Sequence, residues 1–150
     1  MLGALMFWSL IQEPTQHPAQ PHMRLSLTGV GRFAQWVDRD SSREGPGYVD
    51  IRTLQVSEED MVIGDKAYVG GWSWWRFDCA AHTADRLDFA SITSDLIEGP
   101  RTPDHQPAYA ASPGGDAAEL LAVACGYEDP AVVSVTLNEA IALARTAMAD

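Results

Sequence analysis

The hydrophobic pattern of this chain changes its period part-way along, and that change limits the folds open to it. Up to about residue 97, apolar and polar residues alternate in short segments such as RFAQWVD (32–38) and YVDIRTL (48–54), which is typical of strands. After a proline-rich segment (98–115), apolar residues recur three and four positions apart, which predicts helices. This order predicts an α+β fold, an antiparallel β-sheet with two C-terminal helices packed against it.

Two capping patterns indicate where the helices begin. Asp116 is followed three residues later by Glu119, and Thr136 by Glu139, so both pairs match the reciprocal capping box. Gly126 is predicted to end the first helix, because glycine adopts the backbone conformation of a helix C-terminus at low cost. One apolar stripe of the second helix consists of Leu137, Ile141, Ala144 and Met148.

The middle of the chain leaves the strand boundaries open. SEED (57–60) is predicted to be a charged turn. Residues 61–79 form one long strand or two, broken at Gly64–Asp65 or at Gly70–Gly71. Residues 86–97 predict a further strand.

The first 23 residues are predicted to be a leader and a linker, followed by a single α+β domain over 24–150. An apolar run from Leu2 to Ile11 resembles the core of a secretory signal, but it has no basic start and no good cleavage site. It is also too short to span a membrane. The alternative is a short amphipathic or disordered leader in a cytosolic protein.

The charge balance argues against nucleic acid as a partner. The chain has 21 acidic and 10 basic residues, a formal net charge of −11. Such a balance repels a phosphate backbone and an anionic lipid surface.

The densest aromatic stretch, GWSWWRFDC (71–79), runs into one of two cysteines. Side chains in a strand alternate between faces, so Trp75, Phe77 and Cys79 share one face, with Trp72 and Trp74 on the other. Three covers are possible for Trp72 and Trp74: a C-terminal helix, the leader, or a partner that binds an exposed aromatic strip.

Three short motifs follow one another along the chain: Tyr48-x-Asp50 in an early predicted strand, Asp78-Cys79 in a central one, and a predicted helix that ends in Cys125. In this order they resemble the surface-adhesin protein E family of bacterial envelope proteins. The resemblance covers about residues 33–125. It implies an antiparallel sheet with flanking helices, export, and a role as an adhesin for host matrix or envelope proteins. The extra C-terminal helix and the weak export signal depart from the family pattern.

The resemblance also implies a Cys79–Cys125 disulfide. Two cysteines by themselves fit either one disulfide in an oxidising compartment or two thiols in a reducing one. A bridge from Cys79 to the first helix would place Trp75 and Phe77 beneath that helix.

Other chemistry fits the residues less well. Cys79, His82 and Cys125 suggest zinc ligands, but Cys79 and His82 would face opposite ways in a strand and a fourth ligand is missing, since His105 lies in a long loop. No metal and no cofactor are predicted. Asp78 is expected to pair with Arg76 or with an arginine across the sheet.

The sequence therefore predicts a non-enzymatic, periplasmic or extracellular protein that binds a macromolecule through Trp72 and Trp74. The alternatives are a cytosolic accessory protein with reduced cysteines, or a small enzyme with a site near Asp78 and His82. The oligomeric state and the ligand stay open.

Overall fold

The computed structural model describes residues 20–150, so the leader and most of the linker lie outside the described residues. The strands are β1 (Met23–Val30), β2 (Phe33–Asp38), β3 (Arg43–Gly45), β4 (Tyr48–Ile63), β5 (Lys66–Asp78), β6 (Thr83–Arg86), β7 (Asp88–Thr93), β8 (Thr102–Pro103), β9 (Tyr109–Ala110) and β10 (Val133–Val135). The helices are α1 (Asp116–Ala124) and α2 (Leu137–Ala149).

The strands form a sheet in the order β10-β1-β2-β4-β5-β6-β9, with β3 beside β4, and β7 between β5 and β8. Each of these pairings is antiparallel. The predicted antiparallel sheet and the two C-terminal helices are thus confirmed.

A single long hairpin of β4 and β5 forms the middle of the sheet. Its turn lies at Gly64–Asp65, where Gly64 has a φ of 66°. Gly70 and Gly71 lie within β5 and do not break it. A Cβ at Gly70 would collide with the carbonyl oxygen of Gln55, and one at Gly71 would collide with the Phe89 ring. These glycines therefore allow close packing rather than a turn.

The prediction of a turn at residues 57–60 is wrong, because these residues belong to β4. The pairing with β5 shifts register between Val56 and Met61, so the charged residues are accommodated in an irregular but extended strand. The Ser57 hydroxyl donates to the Val69 carbonyl at 3.1 Å. Arg145 of α2 donates to the Ser57 carbonyl at 3.1 Å and pairs with Asp60 at 2.8 Å.

The helix ends follow the predicted signals with one exception. Asp116 does not cap α1; it is the first helical residue, and Gly115 occupies the N-cap without a side-chain hydrogen bond. Gly126, with a φ of 77°, ends α1 as predicted. Its N–H donates to the Val123 carbonyl, and the Tyr127 N–H donates to that of Ala122, which is the Schellman pattern.

The predicted capping box of α2 is confirmed. The Glu139 N–H donates to the Thr136 hydroxyl at 3.2 Å, and the Thr136 N–H donates to the Glu139 carboxylate at 3.2 Å.

The core divides into two hydrophobic clusters. One contains Ala140, Ile141 and Ala144 of α2 together with sheet residues such as Leu54 and Trp72. The other contains Ala117, Leu120, Leu121 and Val123 of α1 together with Val37, Ile51, Phe77 and Ala84. Trp72 and Phe77 are five positions apart in β5 and so project to opposite faces of the sheet. We call these the α2 face and the α1 face.

Candidate functional site: an arginine–aromatic strip on the α2 face

Three aromatic rings on the α2 face each carry an arginine guanidinium over them. Arg76 lies 3.9 Å from the centroid of Tyr48, Arg43 lies 4.3 Å from that of Trp74, and Arg52 lies 4.2 Å from that of Trp72. A cation over an aromatic face contributes about 0.5–1 kcal/mol at an exposed site and more where water is excluded. We call these six residues the arginine–aromatic strip.

The register of the central hairpin explains why the strip forms. Asp50 is paired with Arg76, Arg52 with Trp74, and Leu54 with Trp72, and residues directly opposite each other share a face. Every second residue of β4 therefore lies beside every second residue of β5 on the same face. As a result, aromatic rings and arginines alternate along that side of the hairpin. The short strand β3 adds Arg43 to the same face, because Arg43 is paired with Asp50.

Two of the three arginines are neutralised by carboxylates. Arg76 donates to both oxygens of Asp50, at 2.8 and 2.9 Å, and this hydrogen bonding raises the pKa of Arg76. Arg52 pairs with Glu98 at 2.9 Å. Arg43 is exposed, and within residues 20–150 it has no ion-pair partner. The unbalanced positive charge of the strip therefore lies next to Trp74.

The two tryptophans predicted to bind a partner differ in exposure. Trp72 is only 4% exposed and belongs to the cluster that contains the α2 residues. The two rings therefore do not form an exposed strip together. Trp72 shares its cluster with Ala140, Ile141 and Ala144 of the C-terminal helix, whereas the leader, another of the predicted covers, lies outside the described residues. Trp74, two residues further along β5, is half-buried.

Trp75 and Phe77 lie where the sequence predicted. Phe77 belongs to the α1 cluster and Trp75 packs against that cluster. Their rings stack with 5.8 Å between centroids and an interplanar angle of 1°.

Asp88 is a residue of this region that the sequence pattern did not indicate. Its side chain is 3% exposed; it accepts a hydrogen bond from the Trp74 backbone N–H at 2.8 Å and pairs with Arg101. A buried carboxylate is costly unless paired, so these contacts hold β5 at Trp74. The signal available in the sequence was weak, a lone aspartate at the start of a strand.

The disulfide joins Cys79 at the end of β5 to Cys125 at the end of α1, with 5.7 Å between the Cα atoms. Tyr127 donates from its hydroxyl to the Cys79 carbonyl at 3.1 Å, and its ring stacks on His82. The bridge thus lies among contacts that fix the turn after β5.

Asp78 and His82, the residues considered for an enzymatic site, have different surroundings. Asp78 lines a cavity of about 480 Å³ with Glu44 and Tyr48, whereas His82 stacks on Tyr127. Asp78 accepts a hydrogen bond from the Ala81 N–H at 2.9 Å and does not pair with Arg76, because Asp50 occupies that arginine. Within residues 20–150, no group of three or more His, Cys, Asp or Glu side chains is arranged to hold a metal ion.

The fold is similar to solved structures of protein E from Haemophilus influenzae. Crystal form II matches with a TM-score of 0.55 and 10% identity, over 78% of this chain and 95% of that chain. A second structure of the same protein matches with a TM-score of 0.50 and 12% identity, over 79% and 96%. The fold is protein E-like. This confirms the resemblance at the level of the fold, which is all that such an identity shows.

No protein-family model and no curated protein sequence match the chain. Among residues 20–150, neither helix has the length and apolar character of a membrane-spanning segment.

Proposed function

We propose that this protein is an exported, non-enzymatic envelope protein that binds a protein partner through the exposed part of the arginine–aromatic strip. The observation that carries the proposal is Trp74, half-buried under Arg43, which has no ion-pair partner among residues 20–150, on a protein E-like fold. Tryptophan, tyrosine and arginine are the residues most enriched at the energetic centres of protein interfaces. A planar arginine over a ring needs little ordering on binding.

Two observations support export. The disulfide is typical of oxidising compartments, and a protein E-like fold is shared with an envelope protein family. The periplasm or the cell surface is therefore the proposed location. A cytosolic accessory protein would instead keep both cysteines reduced.

The binding test uses immobilised host matrix proteins and the purified protein. The wild type should bind at least one of them, and Trp74→Ala and Arg43→Ala should each weaken binding about tenfold or more, as expected for residues at the centre of an interface. Arg32→Ala is the matched control, because Arg32 is also an exposed arginine over a ring, that of Phe33, outside the strip. No binding to any matrix protein, or equal binding by all variants, contradicts the proposal.

The location test is separate. Thiols are titrated in protein purified without reductant from its own cells, and export predicts no free thiol before reduction and two after it. Two reactive thiols before reduction would favour the cytosolic alternative.

A further inference from the structure

The α1 face carries a groove on the side of the sheet opposite the strip. Two cavities, of about 250 and 590 Å³, share Arg86, Asp104 and Gln106 in their walls and so form neighbouring parts of one depression. Trp75, Pro107 and Tyr109 complete the smaller cavity, and Phe89, Thr102, Pro103 and His105 complete the larger one. We call this the α1-face groove.

The aromatic walls of the groove are set by strand pairing. Trp75 is paired with Arg86, and Ala84 of the α1 cluster is paired with Tyr109, so these side chains share the α1 face. Trp75 is held by its stacking on Phe77. Tyr109 is 48% exposed and, within residues 20–150, belongs to neither hydrophobic cluster, which leaves its ring accessible to a ligand.

The polar centre of the groove is an ion pair with spare hydrogen-bonding capacity. Arg86 donates from Nε to Asp104 at 2.9 Å, and the other Asp104 oxygen accepts from the Gln106 N–H at 2.9 Å. These contacts lower the pKa of Asp104, the Gln106 hydrogen bond most, so Asp104 is a carboxylate at neutral pH. The guanidinium keeps further N–H donors, and each carboxylate oxygen keeps a lone pair. The pair has no net charge.

This combination selects for one ligand chemistry. An anionic ligand would meet a neutral centre on a protein of net charge −11 and gain little. A purely apolar ligand would desolvate the ion pair without replacing its water. A peptide strand added to the edge at this point would meet Pro103 and Pro107, which lack N–H donors. A sugar ring has apolar C–H faces that stack on aromatic rings and hydroxyl groups that both donate and accept.

We propose that the α1-face groove binds a neutral oligosaccharide. One ring packs against Trp75 and Tyr109, the next lies in the cavity of Phe89, and hydroxyl groups between them bond to Arg86, Asp104 and Gln106. The inference goes beyond the proposed function, because the two sites lie on opposite faces and share no residue.

The test measures tryptophan fluorescence and calorimetric heat as neutral tetrasaccharides of glucose, mannose, galactose and N-acetylglucosamine are added to the full chain. At least one tetrasaccharide should bind saturably. Tyr109→Ala and Gln106→Ala should each weaken its binding about tenfold. The first removes a ring on which the sugar stacks, and the second removes a side chain that hydrogen-bonds to its hydroxyl groups. Tyr127→Ala is the matched control, an exposed tyrosine outside the groove, and should bind as the wild type does.

Gln106 is exposed and its side chain makes no hydrogen bond among residues 20–150, so its variant should fold even if others do not. The proposal is overturned if no tetrasaccharide binds. It is also overturned if Tyr109→Ala and Gln106→Ala bind as tightly as wild type, or if only sulfated glycans or peptides bind. Trp74→Ala should leave sugar binding unchanged, so failure here is distinguishable from failure of the partner site.

Discussion

At the residue scale, two tryptophans that share one face have different surroundings. Trp72 lies among Leu54 and the α2 residues, whereas Trp74 lies beyond them with Arg43 above it. Strand alternation assigns both rings to one face, but it does not say how far along that face the helix extends. The sequence therefore predicted the correct face for both rings and left the cover of each one open.

This difference predicts unequal losses of stability. Trp72→Ala should lower the free energy of unfolding by about 3–5 kcal/mol, because it leaves a large cavity in the core. Trp74→Ala should lower it by no more than about 2 kcal/mol, since the ring is half-buried and loses mainly a cation–π contact. Urea unfolding of the two variants measures both values. Equal losses would mean that the two rings are equivalent parts of the core.

At the scale of the elements, the N-terminus of α2 depends on charge as well as on hydrogen bonds. The Glu139 carboxylate accepts from the Thr136 N–H, and this bond lowers the pKa of Glu139 below its usual 4.5. Because the folded-state pKa is the lower one, the stabilisation is fully present above about pH 4.5 and is lost as the pH falls through the depressed value.

Glu139→Gln should therefore lower the melting temperature at pH 7, and the difference from wild type should shrink as the pH falls below 4.5. Melting curves of both proteins between pH 7 and 3 measure it. Glu58→Gln, in the exposed part of β4, serves as the control outside any helix. A difference that grows at low pH would contradict this assignment.

Local signals in the sequence predicted some elements and failed for others for identifiable reasons. The second capping box and Gly126 depend on contacts within a few residues, so the start of α2 and the end of α1 could be predicted from the sequence. The charged residues after Val56 stay extended because Arg145, far along the chain, binds Ser57 and Asp60. The short strands β8 and β9 have two residues each, too few to show a period. The arginines of the strip meet their rings and carboxylates only when residues far apart in sequence come together in the folded sheet.

At the scale of the whole molecule, the disulfide joins the central strand to α1 across a sequence separation of 46 residues. Closing a loop of that length removes enough entropy from the unfolded chain to contribute about 4 kcal/mol in the loop-entropy estimate. This is a large part of the 5–15 kcal/mol that is typical of folded domains.

The double variant Cys79→Ser and Cys125→Ser should thus lose about 4 kcal/mol in urea unfolding. Reductant should produce a similar loss in the wild type and none in the double variant, which makes the variant its own control. A wild type that is insensitive to reductant under unfolding conditions would show that the bridge is absent.

Trp74 and Trp75 are consecutive residues of β5, and each belongs to a different proposed site. Their Cα atoms are separated by one peptide unit, about 3.8 Å. Adjacent side chains of a strand project to opposite faces, so β5 presents one indole to each proposed site and keeps the two rings on separate sides of the sheet.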